Sequence, residues 1–350
     1  MKKIWFPVFI VFLLNACSPT STPPPTATET PVPQPTEAVP TQTDTPVISH
    51  VPACSGGKMI YHPPSKQTLL IGCIELSVRT DIPNVIWGWD GKQWQVVTEG
   101  GPLLRVLGGG AYDSKRDRLV LYGGQSLSTG KCVRETWEWD GASWAQVTAD
   151  TPTACDHFEM TYDESLGRVL LFGGQDENRK AVSETWAWNG ETWQLLTAEG
   201  PKGRAHFGFV HDPTHAQTLL YGGFFGPVFD DFWSLQENAW QKVELGNSPG
   251  SLSHFGMAYD PGINALIIFG GAQSTSTFGS LTDNTWLLSD GDWKEITPTI
   301  APSPRGSPAM TYDPERKRIV LYGGFGSDRN DKNDTWEWDG TQWGCVSNCE

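Results

Sequence analysis

The sequence predicts an all-β fold, a six-bladed β-propeller with four antiparallel strands per blade, and three observations carry the prediction. A glycine pair closes an apolar strand at Leu121-Tyr122-Gly123-Gly124, Leu171-Phe172-Gly173-Gly174, Leu220-Tyr221-Gly222-Gly223, Ile268-Phe269-Gly270-Gly271 and Leu321-Tyr322-Gly323-Gly324, with Leu70-Ile71-Gly72-Cys73 as a degenerate sixth. Tryptophans seven apart follow each: Trp87 and Trp94, Trp137 and Trp144, Trp186 and Trp193, Trp233 and Trp240, Trp286 and Trp293, Trp336 and Trp343. The unit recurs about every 50 residues, the period of a propeller blade. Six such units suit a closed ring, since propellers typically have four to eight blades.

The chain ahead of the repeats reads as targeting and spacing. Lys2 and Lys3 precede an apolar run from Ile4 to Leu14, the charged and hydrophobic regions of a secretory signal, too short for a spanning helix. The run ends in Leu14-Asn15-Ala16-Cys17, which resembles the bacterial lipobox. That resemblance implies removal of residues 1–16, a lipid on the Cys17 thiol and attachment to the cell membrane, or, with Ser18 next, to the outer membrane of a two-membrane cell. Residues 17–50 form a stalk: nine Pro and nine Thr with almost nothing apolar cannot build a core and stay extended and solvated. At about 3.1 Å per residue the stalk reaches on the order of 100 Å.

The propeller occupies 51–350. For blade three, strand A is expected at 159–162, B at 169–172, C at 185–188 and D at 193–197. In Trp137-Glu138-Trp139-Asp140-Gly141-Ala142-Ser143-Trp144, a two-residue Asp-Gly turn of type I′ is expected to place Trp137 opposite Trp144. Asp90-Gly91, Asn189-Gly190 and Asp339-Gly340 repeat the arrangement, whereas Gln236-Glu237 and Ser289-Asp290 predict a different turn in blades four and five.

An aromatic before Gly-Gly, an acidic or amide residue near a strand-C aromatic, and a Trp in strand D together resemble the kelch repeat, over residues 54 to 350. The resemblance implies a kelch-type propeller, with blade one departing at Cys73, where the second glycine should stand. Blade one takes all its strands from the N-terminal side and blade six all of its own from the C-terminus, so no shared strand fastens the ring.

Six cysteines follow Cys17, an even number that reads as disulfides in an oxidising, extracytoplasmic compartment. Cys132, in the B–C loop of blade two, and Cys155, just before strand A of blade three, share a face and are expected to pair. Cys54 has two open partners, Cys349, which would fasten the ring, or the nearer Cys73; Cys345 stays open with them.

The formal charge is −15, and loss of Lys2 and Lys3 takes it to −17 (−15 − 2). Basic residues are scattered, so nucleic acid is not an expected partner. No phosphate-binding loop, dinucleotide fingerprint, zinc-type cysteine pair or nucleophile elbow occurs. No cofactor is expected, and the chain is expected to be a monomer.

From the strand-D Trp to the next glycine pair the distance is 29 or 30 residues, but from the end of strand B to the strand-C Trp it varies between 10 and 15. The variable B–C loops point to that face as the functional one, because binding is usually built on loops carried by a rigid scaffold. Aligning strand A on Tyr112, Tyr162, His211, Tyr259 and Tyr312 puts His157, His206 and His254 five residues earlier and Arg105, Arg204 and Arg305 seven residues earlier. Two readings stay open for these cations: local hydrogen bonds to neighbouring loops, or a mouth around the channel that binds an anion. A metal site is not expected, because successive blades separate the histidines. Phe224, Phe225 and Phe229 add apolar contact in the blade-four loop. The expected function is a non-enzymatic module binding a protein or glycan, anionic if the cations form a mouth, at the cell surface. The kelch resemblance also implies an alternative, a sugar-acid enzyme of the sialic acid epimerase (mutarotase) type. The galactose-oxidising copper enzymes need a Tyr–Cys crosslink, which paired cysteines do not supply.

Overall fold

The structure, a computed structural model, describes residues 50–73 and 81–349. The segments expected to form the signal and the stalk, with Cys17 between them, lie, up to residue 49, outside the described residues. Six four-stranded antiparallel sheets follow one another, each with its strands A to D in chain order. The A strands are Lys58–His62, Gly109–Asp113, Asp156–Asp163, Gly208–Asp212, Gly256–Asp260 and Ala309–Asp313. In blade three, strands C and D run Thr185–Trp188 and Trp193–Thr197, and A and B extend beyond expectation to Asp156–Asp163 and Arg168–Gln175. Strand B of blade five, Ala265–Phe269, is buried at every position because both faces meet neighbouring blades, hence its unbroken apolar sequence. No helix among the described residues is long and apolar enough to cross a membrane.

The C–D hairpins correct the expected register. Trp144 lies opposite Trp139, not Trp137. The loop has four residues: the Asp140 N–H donates to the Ser143 carbonyl at 3.2 Å, and Asp140 Oδ1 accepts from the N–H groups of Ala142 and Ser143 at 2.9 and 2.8 Å. The carboxylate builds its own turn from the backbone beyond it, which the Asp-Gly dipeptide alone did not reveal. Blade five holds the two-residue type I′ turn instead, with Asp290 at φ +53° and Gly291 at φ +75° between the paired Ser289 and Asp292.

Two rules hold adjacent blades together. The second glycine of each pair donates its N–H to a carbonyl of the next blade: Gly124 to Cys155, Gly174 to Arg204, Gly223 to Leu252, Gly271 to Arg305 and Gly324 to Cys54, at 2.7 to 2.9 Å. The approach leaves no room for a side chain, since a Cβ on Gly323 would stand 2.4 Å from the Cys54 carbonyl. The strand-D indole N–H donates to a threonine of the preceding blade, the residue just before its strand-C Trp: Trp94 to Thr335, Trp193 to Thr136, Trp240 to Thr185 and Trp343 to Thr285, at 2.9 to 3.0 Å. Ile86 and Phe232 take that place for Trp144 and Trp293, and those two indole nitrogens are buried without a partner.

The same contacts close the ring between blades six and one. Trp89 Nε1 donates to Glu337 at 2.9 Å, Trp94 to Thr335, Gly324 to Cys54, and the Gly56 N–H to the Ser307 carbonyl at 2.9 Å. Closure is therefore non-covalent among the described residues. Cys54 bonds Cys73 within blade one, Cys345 bonds Cys349, and Cys132 bonds Cys155 as expected.

Candidate functional site

On the B–C face each blade enters strand A through one residue of left-handed backbone: Gly56, Leu107, His157, His206, His254 and Ser307, with φ from +48° to +71°. Side chains other than Gly strain there by roughly 1–3 kcal/mol each. Backbone hydrogen bonds from blade to blade hold the conformation, with His157 N–H donating to Leu107 O and His254 N–H to His206 O at 2.9 and 3.0 Å. Six such residues circle the channel mouth.

Three of them are the histidines singled out from sequence, and the structure brings them into contact. The His157 and His206 rings meet edge to face at 4.9 Å, and His206 stacks on His254 at 3.8 Å. Successive blades therefore do not keep the rings apart, although among the described residues no group of three has the arrangement of a metal site. His157 Nδ1 lies 2.6 Å from Asp156 Oδ1, and His254 Nδ1 3.0 Å from Ser253 Oγ. Burial, followed by the neighbouring His254, His157 and Lys58, holds the His206 imidazole well below its ordinary value. Burial and then His157 push His254 down to about 4. Both are neutral at neutral pH.

A cavity of about 160 Å³ lies beneath these rings. Two residues past the left-handed position stand Lys58, Gly109, Glu159, Gly208, Gly256 and Ala309. The glycines make room for the next blade, since a Cβ on Gly208 or Gly256 would meet the Met257 or Met310 side chain, and Lys58 Nζ meets Glu159 Oε1 at 2.5 Å, linking blade one to blade three. Sequence reasoning missed this pair; its signal was two charges in a register place otherwise held by Gly and Ala. Toward the outside, Phe325 lies 6.0 Å from His254 and 5.2 Å from the exposed Phe278, whose ring carries the Arg329 guanidinium at 4.8 Å.

The arginines lie elsewhere. Arg204 is fully buried and forks onto Asp231 at 2.5 and 2.9 Å while also donating to the Gly222 and Lys202 carbonyls. Arg305 repeats this on Asp334 at 2.6 and 2.8 Å and on the Gly323 carbonyl. Arg105, half-buried, pairs with Glu135 at 2.7 Å. Each aspartate stands two residues before a strand-C Trp and also accepts its indole N–H, so these arginines lock the B–C loop inside their own blade. Phe229 lies under the Arg204 guanidinium, 4.1 Å from ring centroid to Cζ, and Phe224 pairs through its backbone with Ala205; neither these two nor Phe225 lines the cavity.

No protein-family model matches the sequence, and no curated protein matches it. Among solved structures, one described as the structure of YjhT superposes with a TM-score of 0.67 at 13% identity, over 85% of this chain and 98% of that one. The likeness is one of fold, a six-bladed propeller.

Proposed function

We propose that the protein is a kelch-type propeller lipoprotein of the cell envelope whose channel mouth on the B–C face binds a glycan without transforming it. One observation carries the reading: three imidazoles from successive blades touch over a polar cavity, and two of them, His206 and His254, are held neutral by burial. Neutral imidazoles both donate to and accept from sugar hydroxyls, and Phe325 and Phe278 beside them offer aromatic faces to the sugar's apolar side. Three disulfides support an extracytoplasmic setting. The anchor rests on Cys17, and metabolic fatty-acid labelling lost in Cys17→Ser tests it. A glycan array followed by calorimetry tests the mouth: His206→Ala should weaken the best ligand about tenfold, on the scale of one or two hydrogen bonds. The loss caused by His206→Ala should be the same at pH 8 and at pH 5, since neither His206 nor His254 gains charge there. Binding unchanged by His206→Ala and by His254→Asn would overturn the reading.

A second reading, a sugar-acid enzyme of the mutarotase type, draws on Lys58 and Glu159 facing each other inside the same cavity. A carboxylate and an ammonium at one mouth are suited to moving a proton on a bound sugar. Anomeric exchange of sialic acid followed by NMR, lost in Glu159→Gln, distinguishes it from simple binding.

A further inference from the structure

The internal repeat exposes a vacancy between blades four and five. Two residues after the strand-C Trp, blades one, two, three and six carry a second tryptophan, Trp89, Trp139, Trp188 and Trp338, each almost wholly buried against the preceding blade. Two of these indoles donate across the seam, Trp89 to Glu337 and Trp188 to Glu138. Blades four and five have Leu235 and Leu288 instead. Between blades three and four the space is refilled: Leu235 is fully buried in a cluster with Phe172, Phe207 and Phe209, and Phe172 and Phe209 both lie against Trp240. Between blades four and five the only partial substitute among the described residues is Phe232, which packs on Trp293 at 5.9 Å from the blade-four side and leaves the space beside Leu288 unfilled.

What remains is a cleft of about 310 Å³, apolar along Leu219, Phe232, Val243, Leu266 and Leu288 and polar at its end near Asp212, His215 and Asn264. Leu288, at its edge, is half-buried where the equivalent tryptophans are closed off. An apolar cavity of only about 150 Å³ already takes up benzene. We propose that this cleft is a binding site for a planar aromatic ligand of indole size with a polar substituent, seated as the tryptophans are seated in the other seams. The apolar walls bury the ring faces, and the His215 and Asn264 end receives the polar group. The site is separate from the histidine mouth, so its success or failure is independent of the glycan reading.

Indole itself is the probe. Calorimetric titration of the full-length protein should show saturable binding of one indole per chain. Leu288→Trp, which supplies the missing side chain, should abolish that binding and raise the melting temperature; Leu288→Phe, a smaller change, should weaken it. His206→Ala should leave it unchanged. Absence of saturable indole binding to the wild-type protein, or binding indifferent to both Leu288→Trp and Leu288→Phe, overturns the proposal.

Discussion

A single side chain decides whether each tryptophan in the seams is satisfied. Thr285 accepts from Trp343, whereas Ile86 in the same register place leaves Trp144 without a partner. Thr285→Val, nearly isosteric, should cost about 1–3 kcal/mol by orphaning a buried donor. Ile86→Val should cost only the lost methylene, about 0.5–1.5 kcal/mol. Urea unfolding of both variants measures the difference, and equal losses would show that the indole bond contributes nothing. His254 makes a second residue-scale case. Its folded value is about 4 against an ordinary 6.5, so between those values the unfolded chain binds the extra proton and the folded one does not. Stability is therefore full above pH 6.5 and falls as pH drops toward 4, by on the order of 3 kcal/mol. His254→Asn keeps a residue that tolerates left-handed backbone and removes the titration. It should flatten part of the loss in melting temperature between pH 7 and 4.5.

At the scale of elements, strands and hairpins were legible wherever the signal was periodic. Blade-three strands C and D appear where spacing put them, because apolar strands closed by paired glycines leave little choice of register. The hairpin turn was misread because Asp140 uses its side chain, and dipeptide preference says nothing about that second set of hydrogen bonds. The arginines hid for a similar reason: their place in the repeat was visible, but their aspartate partners stand 27 and 29 residues further on, and only the folded blade joins them. Lys58 and Glu159 lie 101 residues apart and meet across a blade that contributes glycine, a relation no local window contains. Cys132 and Cys155 join the blade-two loop to the start of blade three, and replacing both with Ser should cost about 2–4 kcal/mol. Non-reducing peptide mapping should also recover Cys54 with Cys73 and Cys345 with Cys349; a Cys54–Cys349 peptide would contradict the closure described above.

For the whole molecule, the seam between blades six and one uses the same contacts as an internal seam. Glu337 accepts from Trp89 and pairs with Arg316; Glu138 accepts from Trp188 and pairs with Arg116. If the ring unfolds as one unit, Glu337→Ala and Glu138→Ala should lower stability by similar amounts, on the order of 1–3 kcal/mol each. Coincident transitions by circular dichroism and tryptophan fluorescence would accompany this. A larger loss for Glu337→Ala, with a separate early transition, would mark the seam as the weak point.

The Cys54–Cys73 bond brackets strands A and B of blade one, Lys58–His62 and Gln67–Ile71. Tension entering the propeller from its N-terminal side reaches Cys54 before it reaches strand A, and the sulfur bridge passes it on to the far end of strand B. The innermost strand of the first blade is thus shielded from peeling, and the load falls on the blade as a unit. Under reducing conditions that detour disappears and strand A itself takes the pull. Single-molecule stretching from the N-terminus should then show rupture at lower force, with an added early extension of the residues between the two cysteines.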